Sequence, residues 1–138
     1  MAEYGSDDGR WFVRPILVPK LNPKQFDLHV RFNRADRYSN YGAGSHMLRM
    51  EDNKSGEFVG GIEWHKDTGE ILGVETEKPY RRKGVATTLF HEAKNIAREQ
   101  GLVQPAHSAD RSDMGHKWAK SIDSNLPKRK KLSDFPVL

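Results

Sequence analysis

Glu70-Ile71-Leu72-Gly73-Val74-Glu75-Thr76-Glu77-Lys78-Pro79-Tyr80-Arg81-Arg82-Lys83-Gly84-Val85-Ala86-Thr87-Thr88-Leu89-Phe90 is the stretch whose reading decides the fold. An apolar, strand-like run ends near Thr76, and a four-residue connection with a proline leads to Arg81. From Val85 the period changes. Val85, Ala86, Leu89, Phe90, Ala93, Ile96 and Ala97 recur at spacings of three and four, which is one face of a helix, and Gly101 ends it. A strand that turns directly into a helix presents the first-turn N–H groups, with the helix dipole behind them, as an anion site. Gly84 lets a ligand approach the main chain with no Cβ in the way, and Ala86 keeps the first turn small. Arg81, Arg82 and Lys83 add positive charge. The expected ligand is a pyrophosphate or similar phosphate group held mainly by backbone amides.

Three strand-like runs precede and include this junction: His46–Glu51, Glu57–His65 and Glu70–Thr76. The loops Asn53-Lys54-Ser55-Gly56 and Lys66-Asp67-Thr68-Gly69 separate them. Glycine-bearing loops of this length between apolar runs predict hairpins, hence an antiparallel meander. Upstream, Phe26, Leu28, Val30 and Phe32 alternate with polar residues and predict a half-buried strand. Trp11 to Val18 contains Pro15 and ends at Pro19, so it is at best an edge strand. Residues 1–10 read as a flexible terminus, and residues 33–45 as a polar loop. Downstream, Leu102 to His107 is short and extended. Met114, Trp118 and Ile122 form the stripe of a second helix with Ser112 as its cap. Residues 123–138, with Lys128-Arg129-Lys130-Lys131, read as a basic tail. The expected organisation is one domain over residues 11–122 between these ends.

The chain has 138 residues, 36% of them hydrophobic and 30% charged, which allows a modest core surrounded by polar loops. It contains no cysteine, which excludes a disulfide scaffold, a thiolate zinc or iron–sulfur site and a thiol nucleophile. No apolar run approaches the length of a membrane span, and the N-terminus lacks the pattern of a signal peptide. A cytoplasmic protein without membrane attachment is expected. The net charge of +4 favours an anionic partner, such as a phosphate-bearing cofactor or nucleic acid, and is also an ordinary solubility charge.

Arg81-x-x-Gly84-x-Ala86, after a strand and opening an amphipathic helix, resembles the acetyl-CoA signature of the GNAT N-acetyltransferases. The resemblance spans roughly residues 46–122. It implies an α/β fold, with a mixed, mostly antiparallel sheet flanked by helices. Two adjacent strands of that sheet splay apart, and the pantetheine arm lies in the gap. It further implies that backbone groups around Thr76 bind the arm, with Arg81, Arg82, Lys83, Gly84, Val85, Ala86 and Thr87 around the pyrophosphate of acetyl-CoA. The family usually carries one or two helices after its first strand. Residues 33–45 are too short for them, so a reduced N-terminal helical region and an open acceptor side are expected.

The resemblance implies transfer of an acetyl group to a primary amine, on a small molecule or a macromolecule, by a monomer or homodimer. Such transfer needs a base for the amine, often a strand carboxylate. Some members place a glutamate eleven residues ahead of the motif's first residue, and that position is Glu70. Glu75 lies on the same strand and alternates to the other face. Glu63 and His65, on the preceding strand, are placed to face the same cleft. Glu70, Glu75 and His65 are therefore the candidate catalytic residues. The tyrosine that many members use to protonate the leaving thiolate has no counterpart in the second helix, which carries His116 and Trp118. No metal site is expected. A non-catalytic acyl-CoA or nucleic-acid binding module, and a nucleic-acid modifying enzyme of the same fold, are the alternatives.

Overall fold

Alternation of apolar and polar residues produces the sheet of this protein, seen in a computed structural model that describes residues 3–35 and 44–107. Six strands, β1 (Tyr4–Gly5), β2 (Trp11–Pro15), β3 (Leu28–Asn33), β4 (Ser45–Asp52), β5 (Phe58–His65) and β6 (Ile71–Thr76), lie in the order of the chain. All neighbouring pairs are antiparallel. A 3-10 turn (Lys78–Tyr80) and a helix, α1 (Val85–Gln100), follow.

The register aligns side chains into rows across the strands. Phe12, Phe32, Leu48, Ile62 and Val74 are successive partners on the face that α1 covers. Leu48, Phe32 and Trp64 are fully buried there, and they pack with Val85, Leu89, Phe90, Ala93 and Ile96 of the helix. Each large side chain removed from water in this layer contributes about 1.5–3 kcal/mol. The predicted helical face is the buried one, except that Ala86 is half-buried. Gly101 caps the helix at φ 68°, in the left-handed conformation that a glycine adopts at little cost. Arg14 crosses from β2 to the helix and pairs with Glu92 at 3.2 Å and Glu99 at 3.0 Å.

Tyr4–Gly5, within the stretch read as a flexible terminus, pairs with Val13 and Phe12. That short partner leaves most of the outer side of β2 as sheet edge, where Pro15 is tolerated. The second helical pattern, the basic run and most of the loop after β3 lie outside the described residues. Among the described residues, no helix is long and apolar enough to cross a membrane.

Candidate active site

The connection from β6 to α1 is fastened at several points. The Glu77 amide donates to the Val59 carbonyl at 2.9 Å. Tyr80 is buried against Phe26, and its hydroxyl donates to Glu57 Oε2 at 2.9 Å. Burial, and then the bond to the Glu57 carboxylate, push the Tyr80 phenol above its usual pKa, so it remains a donor. Arg81 Nε donates back to the Thr76 carbonyl at 3.0 Å. Between these anchors and the helix the backbone turns left-handed twice, at Arg82 with φ 62° and at Gly84 with φ 85°. Gly84 occupies the N-cap position, and no side chain caps the helix. Among the described residues, a Cβ built on Gly84 would meet nothing within 4 Å. The helix therefore aims the amides of Val85, Ala86 and Thr87 toward open space, and Arg81, Arg82 and Lys83 beside it are exposed.

At the other end of β6 the chain returns from α1. Trp64 Nε1 donates to the Val103 carbonyl at 3.1 Å, which fixes the returning segment. The Ala106 amide donates to the Gly69 carbonyl at 2.7 Å, and the Ile71 amide to the Ala106 carbonyl at 2.9 Å. This pairing is parallel and is confined to the bridge between Glu70 and Ala106. Among the described residues, β6 has no partner on that side from Leu72 to Thr76. The sheet is thus, among the described residues, joined at the root of β6 and unpaired toward the turn that opens α1.

The face of the sheet opposite α1 carries a cavity of about 570 Å³, lined by residues of β4, β5 and β6 and by Glu77. Arg49, Gly61 and Glu75 form one row of its wall, and Met47, Glu63 and Gly73 the next. Phe58 and Met47 supply apolar surface, and the Arg49 guanidinium stacks on Phe58 with its carbon 4.8 Å from the ring centre. Ser45 Oγ donates to Glu63 Oε1 at 2.6 Å.

The acetyltransferase (GNAT) family model matches residues 12–111, from the second residue of β2 to beyond the parallel bridge. The chain belongs to this family of acetyltransferases. Two solved structures resemble it. A Pyrococcus furiosus protein assigned as an acetyl transferase has a TM-score of 0.51 and 17% identity, covering 67% of this chain and 66% of its own. An aminoglycoside acetyltransferase from an uncultured soil metagenomic sample has a TM-score of 0.49 and 23% identity, covering 73% and 68%. At these identities the likeness concerns the fold. No curated protein matches. Among the described residues, the GNAT sheet of this chain is mixed through one parallel bridge and otherwise antiparallel, with one helix.

A bulge corrects one expectation about the candidate bases of this GNAT chain. Glu63 pairs with Gly73, but Trp64 pairs with Ile71, so Leu72 is an extra residue in β6. Ile71 thereby packs into the core while Gly73 lines the cavity on the other face. Glu70, next to Ile71, turns to the same face as Glu75 and not to the opposite one. Glu75 lines the cavity, and Glu70 stands exposed at the root of β6. His65 is placed differently. Its Nδ1 accepts from the amides of Asp67 at 3.1 Å and Thr68 at 3.3 Å, closing the β5–β6 hairpin. A neutral ring bonded in this way carries its proton on Nε2 and has no lone pair left for an amine proton. Met47, Arg49, Phe58 and Glu77 were missed as lining residues. The alternation of Met47 and Arg49 with buried Leu48 and Met50 was the available signal.

Proposed function

We propose that the chain is an acetyl-CoA-dependent N-acetyltransferase acting on a primary amine. The observation that carries this reading is the half-paired β6, joined to the returning segment at Glu70–Ala106 and, among the described residues, unpaired toward the helix N-terminus. Acetyl-CoA suits these residues. The open space over Gly84 and the amides of Val85, Ala86 and Thr87 fit a pyrophosphate, with Arg81, Arg82 and Lys83 around it. The backbone of this edge from Leu72 to Thr76, apart from the Thr76 carbonyl that Arg81 holds, offers donors and acceptors to an amide-bearing arm. Bound acetyl-CoA supplies an activated acyl group on a sulfur leaving group.

The remaining work falls to the chain's own residues. Glu70 takes the proton that an ammonium group must lose before its nitrogen can attack the thioester carbonyl carbon. The carbon–nitrogen bond forms, the carbon–sulfur bond breaks, the attacking nitrogen loses its second proton to solvent, and the thiolate takes up one from solvent, giving an N-acetyl amine and coenzyme A. Glu75, on the same face, is the second candidate for the base. The test is incubation of the purified chain with acetyl-CoA and a mixed set of amines, followed by mass spectrometry. A mass gain of one acetyl group on an amine, dependent on the protein, is the expected result. Binding of coenzyme A without any turnover would favour a non-catalytic acyl-CoA binder.

A further inference from the structure

Gly61 and Gly73 sit side by side with the acidic residues on the face opposite α1. Neither has a positive φ, so the backbone does not require glycine at either position. A glycine inside a strand weakens it and marks a place where something approaches closely. Among the described residues, a Cβ on Gly73 would meet nothing within 4 Å. Gly61 separates Arg49 from Glu75 in one row, and Gly73 flanks Glu63 in the next. The missing side chains form a floor, and Glu63, Glu75 and Glu77 stand around it against the single cation Arg49. Arg49 is turned onto Phe58, and among the described residues it has no carboxylate partner. A chain of net charge +4 therefore presents a cleft with an excess of carboxylates.

Resting on the acetyltransferase reading, we infer that the acceptor is a small aliphatic amine carrying at least one further positive charge. A cavity of about 570 Å³ falls in the range of small-ligand sites. Phe58 and Met47 suit a methylene spacer, while the carboxylates receive the cationic groups. A polyanionic acceptor would meet repulsion here, which reverses the expectation drawn from net charge alone.

Spermidine and 1-butylamine separate the two cases, since they share an aliphatic amine and differ in charge number. Calorimetry with spermidine on the chain alone, without acetyl-CoA, reads the acceptor cleft independently of acetyl transfer. Coenzyme A titration reads the other site. Spermidine should bind more tightly than butylamine by about tenfold at low salt, and the difference should shrink as salt is added. Glu63→Gln and Glu77→Gln should each weaken spermidine about fivefold and leave coenzyme A binding unchanged. Equal affinity for both amines, or unaltered spermidine binding in both folded variants, would overturn the acceptor class. Loss of coenzyme A binding alone would instead count against the acetyltransferase reading.

Discussion

Gly69 lies beneath Gln104 so closely that a single added methyl would overlap the Gln104 carbonyl oxygen. Gly69 also has φ 77°, and its own carbonyl accepts the Ala106 amide at 2.7 Å. The turn that ends the β5–β6 hairpin is therefore also the seat of the segment returning from α1.

Gly69→Ala should consequently detach that segment. Left-handed strain alone costs on the order of 1 kcal/mol, and the overlap adds to it. Denaturant midpoints should fall, and hydrogen exchange at Ile71 and Ala106 should quicken before exchange in α1 does. Unchanged protection of both amides would refute the close approach.

Gly84→Glu should abolish coenzyme A binding, because a carboxylate would project where a pyrophosphate must approach. The same substitution places a side chain at φ 85°, so some stability is lost as well. Gly84→Ala separates the two effects. It carries the strain without the charge and should retain weakened binding. Calorimetry with coenzyme A on both folded variants measures this.

Glu70→Gln keeps the shape and removes the proposed base. The acetylation rate should drop by about 10²–10⁴, the range for general base catalysis, with coenzyme A affinity little altered. The rate of the parent should rise with pH up to the pKa of its base, and the variant should lose that limb. If Glu75→Gln loses the limb and Glu70→Gln keeps it, the base is Glu75.

His46 supplies a pH dependence of stability. It is buried, Nδ1 accepts the Ala35 amide at 2.9 Å, and its ring lies 5.3 Å from that of Trp64. Burial, and then the charges of Arg34 and Lys66, lower its pKa to about 4. The unfolded chain takes up this proton near pH 6.5 and the folded chain only near 4. The contribution is thus fully present above about 6.5 and is lost as the pH falls to about 4. Roughly 3 kcal/mol should disappear across that window. His46→Asn keeps an acceptor for Ala35 and cannot titrate. Urea midpoints of the variant should vary less between pH 7 and 4.5 than those of the parent.

Strands and helix were legible because their periods are clean. Leu48 and Met50 alternate with Met47 and Arg49, and the stripe from Val85 to Ala97 has helical spacing. The Leu72 bulge was not legible, because an extra leucine in an apolar run leaves no mark until Trp64 is seen to pair with Ile71. The face of Glu75 relative to Glu70 was misread for that reason alone. Tyr80 was visible in the lead-in to the motif. Its partner Glu57 lies 23 residues away and belongs to another hairpin. The acidic cleft needs the register of three strands at once, and single-strand alternation shows its residues only as a solvated face.

The agreement between strand order and chain order bears on how the molecule assembles. Each hairpin closes on sequence neighbours, so the sheet can form progressively, with little loop entropy lost per step. Its apolar face, however, waits for α1, which is the last described element to be synthesised. During translation there is an interval when Phe32, Leu48, Ile62 and Trp64 have left the ribosome and their cover has not. Self-association of nascent chains should be greatest in that interval and should end once Ile96 emerges.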